Sequence, residues 1–153
     1  MTPWLATDPA LWPAVLALLR SEFAYMEGRI NPPSSLRDLT PKALDDQVRK
    51  GEIWLVGAPV ACVFLTPKPR VLYVGKLAVA AACRGRGLAR LLIDQAEVRA
   101  RALGLPMLEL QTRVELVENQ TAFQAMGFHE VARTAHPGFD RPTSITYRRA
   151  LAG

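Results

Sequence analysis

The sequence has few of the residues that build disulfide frameworks, metal sites or nucleic-acid-binding surfaces. Its two cysteines, Cys62 and Cys83, are too few for a disulfide framework or a metal-ligand set, so we expect buried free thiols and no metal. Aromatic residues make up 7% of the chain, and no nucleic-acid-binding motif occurs. No apolar run approaches the ~20 residues that cross a bilayer, and no signal-peptide pattern opens the sequence. We therefore expect a soluble, cytoplasmic protein that binds neither nucleic acid nor membrane.

Length and charge indicate the number of domains and the kind of ligand. A chain of 153 residues, half of them hydrophobic, fits one domain over residues 1–153 with a core of its own. The formal net charge is +5, and one stretch holds a cluster of basic residues: Arg84, Arg86, Arg90, Arg99 and Arg101. Such a cluster is typical either of a solvated helix face or of a surface that attracts a polyanion. With so few aromatics nearby, a phosphorylated small molecule is the favoured partner.

Hydrophobic periodicity and turn residues predict a mixed α/β fold, a sheet with helices on its faces. Helices are predicted from residue 8 onward and over residues 41–50, 87–103 and 118–126, with caps at Asp8 and Thr40. Strands are predicted over residues 4–6, 53–56, 59–65, 70–79, 106–112, 128–133 and 144–151. The strands over residues 53–56 and 59–65 are predicted to form an antiparallel hairpin with a tight turn at Gly57-Ala58.

A turn rich in glycine and arginine joins the long strand over residues 70–79 to the helix that follows. It reads Arg84-Gly-Arg-Gly87-Leu-Ala89. Glycines let a backbone approach a ligand closely, and a helix start offers unpaired N–H groups to a phosphate. A Walker loop would need Lys followed by Ser or Thr after the last glycine, and a Rossmann turn would need a third glycine. Taken alone, the turn is about equally typical of a strand–helix connection in which glycines serve packing.

The turn resembles the pyrophosphate loop of the GNAT acetyltransferase superfamily, which reads Arg or Gln, two residues, Gly, one residue, then Gly or Ala. Other segments are similar to that family as well: Leu77-Ala78-Val79, Glu118-Asn119, Phe123, Met126-Gly-Phe128 and the closing stretch 136–145, which is similar to the last hairpin of a bacterial subgroup. The resemblance spans about residues 53–151. It implies a GNAT-like mixed, mostly antiparallel sheet of six to seven strands flanked by about four helices.

The resemblance also implies acetyl-coenzyme A as cofactor and a primary amine, in an unidentified small molecule, as acceptor. Main chain over Leu77, Ala78 and Val79 would lie along the pantetheine arm as an added strand. Amides of the turn would surround the pyrophosphate, contributed by Arg84, Gly85, Arg86, Gly87, Leu88 and Ala89. Asn119 and Phe123 would flank the thioester.

Catalysis requires a group that takes a proton from the amine, because an alkylamine with a lysine-like pKa of about 10.4 is mostly protonated at neutral pH. The family's usual proton-donating tyrosine is replaced here by Phe123. Tyr73 and Glu109 are the catalytic candidates. Tyr73 stands where some members carry a carboxylate, and strand alternation predicts that it shares a face with Gly75, Leu77 and Val79. For Tyr73 the alternative is aromatic packing, and for Glu109 it is cross-strand pairing.

The acceptor is expected near the first two helices and their connecting loop, with Glu22 and Glu27 available to attract a cation and His136 on a further polar loop. No activated nucleophile is evident, which favours direct attack within a ternary complex. Two alternatives are a catalytically weak or inactive acyl-coenzyme A-binding sensor or interaction module with the same fold, and a nucleotide-binding protein. The sensor remains an alternative because Phe123 cannot donate a proton. A homodimer is among the oligomeric states that the resemblance leaves open.

Overall fold

One mixed sheet of seven strands forms the centre of the computed structural model, which describes residues 1–152. In chain order the elements are β1 (Trp4–Leu5), α1 (Trp12–Met26), α2 (Pro41–Lys50), β2 (Glu52–Val56), β3 (Ala61–Pro67), β4 (Val71–Val79), α3 (Leu88–Ala102), β5 (Met107–Arg113), α4 (Val117–Ala125), β6 (His129–Thr134) and β7 (Ser144–Ala150). Short 3-10 turns occupy Pro9–Leu11, Ser35–Asp38 and Ala81–Cys83. The predicted fold class is confirmed. None of the helices in the described part of the chain is long and apolar enough to cross a bilayer.

Local signals explain where several of these elements begin and end. The Thr40 hydroxyl accepts a hydrogen bond from the Ala43 N–H at 3.3 Å, Pro41 occupies the first position of α2, and Gly51 follows its last residue, as predicted. The β2–β3 turn is longer than predicted. It takes in residues 57–60, because the Val60 N–H donates back to the Val56 carbonyl at 2.7 Å and β3 begins only at Ala61.

The sheet is buried on both faces, which gives two cores. On the face covered by α1 and α2, Cys62 and Phe64 of β3 pack with Trp12 and Leu19. On the face covered by α3, the alternate β3 residues pack with helix residues such as Leu92. A strand that is apolar on both sides loses the alternation of a half-exposed strand, and β3 accordingly reads as a continuous apolar run.

Strands β4 and β5 are the parallel pair in an otherwise antiparallel sheet, whose order is β1-β2-β3-β4-β5-β7-β6. They pair at three positions, Val71–Tyr73 against Met107–Glu109. Beyond these positions β4 runs on to Val79 and β5 to Arg113 without pairing to each other. The sheet therefore opens into a wedge in its middle.

A β-bulge lies in β4 where the wedge opens. Lys76 and Leu77 together oppose Val63 of β3, so β4 has one extra residue. Lys76 has a φ of 50°, the one positive φ among the non-glycine residues that the structure describes. Leu77 packs with the core on the α3 face.

The bulge reverses the alternation of side chains along β4. Gly75 pairs with Phe64 and Val79 pairs with Ala61, and these two β3 residues are three positions apart, on opposite faces. Tyr73 shares the face of Gly75. The prediction that Tyr73 shares a face with Leu77 and Val79 is therefore wrong, because it assumed an uninterrupted period of two.

Candidate active site

A cleft of about 270 Å³ occupies the wedge between β4 and β5. Its floor comes from the two strands, and its walls come from the end of α1, the turn Ser35–Asp38 and α4. The lining residues are Glu22, Met26, Ser34, Ser35, Leu36, Tyr73, Val74, Gly75, Lys76, Leu77, Leu110, Gln111, Thr112, Arg113, Leu116, Asn119, Phe123, His136 and Ser144. Of the predicted site residues, Tyr73, Leu77, Asn119 and Phe123 meet there.

The turn that follows β4 is open to solvent and rich in free donors. Residues 84–87 are exposed, and no atom lies within 4 Å of the place where a Cβ would stand on Gly85 or Gly87. Both glycines have left-handed φ values, 79° and 75°. Among the described residues, none accepts a hydrogen bond from the main-chain N–H groups between Gly85 and Ala89. With the start of α3 at Leu88 behind them, these groups form a cradle suited to a phosphate or pyrophosphate.

The side chain of Arg84 points toward α1. Its Nη2 lies 3.2 Å from a carboxylate oxygen of Glu22, and its guanidinium lies 4.4 Å from the ring centre of Tyr25. Arg86, in contrast, is exposed and has no ion-pair partner in the part of the chain that the structure describes. The positive character of the turn therefore comes from its main chain and from Arg86 more than from Arg84.

Glu22 is the acidic side chain that lines the cleft. Burial raises the pKa of its carboxyl group, and the neighbouring Arg84 partly offsets that effect. Because Glu22 forms an ion pair with Arg84, it connects the α1 wall of the cleft to the turn over residues 84–87.

The edge of β4 that faces the wedge has no strand partner beyond Tyr73. Leu77 of this segment lines the cleft, while Ala78 and Val79 continue the same edge toward the exposed turn. Main-chain groups of an unpaired edge can accept an extended ligand as they would another strand.

Helix α4 supplies the opposite wall. Asn119 and Phe123 line the cleft. The Phe123 ring packs edge-on against the Phe128 ring, with 6.0 Å between the ring centres. Glu118 lies in the first turn of α4, as predicted, and it accepts a hydrogen bond from the Tyr25 hydroxyl at 2.8 Å. This contact joins α1 to α4 beside the cleft.

The two predicted catalytic residues occupy different environments. Tyr73 lines the cleft, and burial, then the nearby Glu109 charge, raises the pKa of its phenol, so the ring stays protonated at neutral pH. Glu109 is not among the lining residues. It is 9% exposed, and it accepts a hydrogen bond from Arg148 Nε at 2.8 Å across β5 and β7. This is the cross-strand pair that the sequence offered as the alternative, although the carboxylate is buried.

His136 lies half-buried in the lining, on the loop between β6 and β7. Its Nδ1 contacts the Thr143 hydroxyl, which also accepts the His136 main-chain N–H at 2.9 Å and donates to the Thr134 carbonyl at 3.4 Å. A Thr143 hydroxyl that donates to the Thr134 carbonyl accepts a hydrogen bond from Nδ1–H, and this assigns the ring proton to Nδ1 and leaves Nε2 as the basic nitrogen. Burial, and then the charge of Arg113, lower the pKa of the imidazole, so it is neutral at physiological pH.

Several cleft residues escaped the sequence reasoning. Gln111, Thr112 and Arg113 come from the end of β5, and Ser144 begins β7. The Thr112 hydroxyl is buried without a hydrogen-bond partner in the described residues. Lys76 was the one such residue with a visible signal, because it is a charge inside the apolar run over residues 71–79.

Comparison with known proteins shows the family of the chain. The model of the Acetyltransferase (GNAT) family matches residues 12–128. Among curated proteins none matches the chain.

Solved structures match over nearly the whole length. A GNAT-family acetyltransferase from Staphylococcus aureus has 14% identity and a TM-score of 0.76, covering 99% of this chain and 100% of its own. An acetyltransferase from Streptococcus agalactiae has 18% identity and a TM-score of 0.75, with 97% of each chain covered. A GNAT-family acetyltransferase from Elizabethkingia anophelis, solved with acetyl-CoA bound, has 17% identity and a TM-score of 0.69, covering 98% and 97%. The chain belongs to the GNAT family of acetyltransferases.

Proposed function

We propose that the protein transfers the acetyl group of acetyl-coenzyme A to a primary amine of a small acceptor, by direct attack within a ternary complex. One observation carries the proposal: the free main-chain donors of residues 85–89 lie beside a wedge whose β4 edge has no strand partner. The open space at Gly85 and Gly87 fits a pyrophosphate that a Cβ would exclude. The bound cofactor would supply an activated acetyl thioester.

The residues of the wedge then have separate tasks. The turn Arg84 through Ala89 holds the pyrophosphate, and the free edge over Leu77, Ala78 and Val79 holds the pantetheine arm. Asn119 and Phe123 pack beside the thioester. A cleft of about 270 Å³ must also admit the acceptor, which supports a small molecule.

Direct attack is favoured because the chain offers no activated thiol in the cleft. Cys62 is fully buried, and burial raises the pKa of its thiol to about 12. Cys83 is half-buried, outside the lining residues. A thiol must lose its proton to act as a nucleophile, so neither cysteine suits an acetyl-enzyme intermediate.

For proton transfer we assign His136 as the group that removes the amine proton. Its imidazole lines the cleft and is neutral at physiological pH. Tyr73 is better suited to donate a proton to the departing thiolate, because its raised pKa keeps the phenol protonated. It would then replace the donor that Phe123 cannot provide.

The test is amine-dependent release of free coenzyme A thiol over a broad amine panel, together with thermal unfolding in the presence of acetyl-coenzyme A, ATP or NAD. We expect turnover with at least one amine and the largest stabilisation from acetyl-coenzyme A. Stabilisation without turnover would support the acyl-coenzyme A sensor instead. Greater stabilisation by ATP or NAD would support a nucleotide-binding protein.

A further inference from the structure

Lys76 is a cation that the protein holds in the cleft without a counter-charge. The residue is half-buried and lines the cleft. Its Nζ lies 5.9 Å from the ring centre of Phe64, and it forms no ion pair within the described residues. Burial, and then the charge of Lys50, lower the pKa of the ammonium group.

The other charged groups of the cleft leave Lys76 alone. The Glu22 carboxylate pairs with Arg84, and the neighbouring Cys62 thiol is neutral because its pKa is about 12. The Arg113 guanidinium donates to two main-chain carbonyls, those of Pro32 at 2.6 Å and Pro33 at 3.2 Å. Of the two lysine and arginine side chains that line the cleft, Lys76 is therefore the one that makes no hydrogen bond or ion pair with the residues that the structure describes.

Keeping such a group costs free energy, since a partly desolvated and unpaired charge is unfavourable. The backbone at Lys76 also holds a left-handed φ of 50°, which is strained for a residue other than glycine. Both costs fall on one residue, at the bulge where the wedge opens. An anionic ligand group would offset the first of them by supplying the missing counter-charge.

We propose that Lys76 binds the carboxylate of the acceptor, so that the acceptor is a small molecule carrying both a primary amine and a carboxylate. This inference rests on the proposed function and narrows its substrate class. Lys76 directly precedes Leu77, whose main chain would hold the pantetheine arm in the proposed complex. A carboxylate held at Lys76 therefore places the amine of a short amino acid close to the thioester.

Matched pairs of acceptors that differ in one carboxylate test the assignment. Suitable pairs are phenylalanine with 2-phenylethylamine, methionine with 3-(methylthio)propylamine, and lysine with cadaverine. Rates of coenzyme A release are referred to the concentration of neutral amine, so that differences in amine pKa do not enter. O-Phosphoethanolamine beside ethanolamine tests whether another anion serves as well.

For the native protein we expect the carboxylate-bearing member to have a kcat/KM at least about tenfold higher, because a charge-assisted hydrogen bond supplies a factor of that order. Lys76→Met should abolish the preference by raising KM for the carboxylate-bearing acceptors, with little change for the plain amines. Lys76→Arg should restore part of the preference. Lys42→Met, at an exposed position of α2, is the matched control and should leave it intact.

Equal rates of the native protein with the two members of each acceptor pair would overturn the inference. So would a preference for the carboxylate-bearing member that survives in Lys76→Met. A preference for phosphoethanolamine alone would overturn the carboxylate assignment. Thermal unfolding of each variant separates loss of binding from loss of folding.

If no amine is turned over, the proposed function fails, and the inference is judged by binding. N-Acetyl amino acids and N-acetyl amines are then titrated into the protein–coenzyme A complex by calorimetry. Binding of the carboxylate-bearing members that is lost in Lys76→Met would support the inference. The absence of such binding would refute it.

Discussion

Glu109 and Arg148 stand directly opposite each other on β5 and β7, and Arg148 Nε donates to Glu109 Oε2 at 2.8 Å. Glu109 is one of the two catalytic candidates that the sequence suggested. In the structure it forms a cross-strand ion pair, and only 11% of its side chain is exposed. The catalytic role of Glu109 stays a prediction, and the ion pair supplies a structural reason for the carboxylate.

Glu109→Gln separates the two roles. We expect kcat to stay within about threefold of the native value and the free energy of unfolding to fall by about 1 kcal/mol, because the amide oxygen of Gln can still accept from Arg148 but without the charge. Steady-state kinetics and urea denaturation measure the two effects. Arg148→Met is the companion variant, since it removes the donor and leaves the Glu109 carboxylate unpaired, and it should lower the free energy of unfolding more than Glu109→Gln does. If turnover by Glu109→Gln instead fell by about a hundredfold or more, with acetyl-coenzyme A binding intact, a catalytic role would be established.

Gly87 and Gly104 form a natural pair for testing the cofactor cradle. Their φ values are 75° and 71°, and at both the space that a Cβ would occupy has no atom within 4 Å, so substitution strains both backbones alike. Alanine or glutamate at either site should cost about 1–2 kcal/mol of stability. Gly87→Glu should also abolish acetyl-coenzyme A binding, because it places a negative charge and bulk where phosphates are held. Gly104→Glu should bind normally, as calorimetry can show; an unchanged affinity in Gly87→Glu would count against the cradle.

The pH dependence of kcat/KM tests His136. Burial and Arg113 lower the imidazole pKa below its usual 6.5, so the basic form is lost only as pH falls through that lowered value. Activity should therefore rise with pH through the His136 pKa and then follow deprotonation of the acceptor amine. The charged groups that act on the ring are Arg113 and Glu115.

His136→Gln should lose the acidic limb of that profile and reduce turnover by about a hundredfold. His129→Gln, at an exposed position of β6, is the control and should keep the native profile. A His136→Gln variant with unchanged turnover and an unchanged limb would remove this residue from the mechanism.

The two cysteines provide a chemical readout of cofactor binding. Cys62 should resist iodoacetamide because it is buried and its pKa is about 12, whereas the half-buried Cys83 should react. Since Cys83 directly precedes the turn at Arg84, acetyl-coenzyme A should slow its alkylation, as mass spectrometry can follow. The protection should vanish in Gly87→Glu. Equal rates with and without cofactor in the native protein would contradict binding at this turn.

Local chemistry made most of the fold predictable. Helix α2 begins after Thr40 and ends before Gly51, and both limits were predictable because a side-chain cap and a helix-ending glycine act over a few residues. The turn at Gly85 and Gly87 was also readable, since left-handed φ values restrict such positions to glycine. The bulge at Lys76 could not be predicted, because it depends on how β4 aligns with β3, and for that reason Leu77 and Val79 were wrongly assigned to the face of Tyr73.

The sequence by itself determined the order of strands and helices and the chemistry of the phosphate-type turn, because those depend on neighbouring residues. Tertiary structure alone decided that β4 and β5 separate beyond Tyr73 and that Glu109 pairs with Arg148. It alone brought Lys76 and His136 into one cleft from positions 60 residues apart in the chain. Contacts over such distances depend on packing of the whole sheet, which no local pattern of residues encodes.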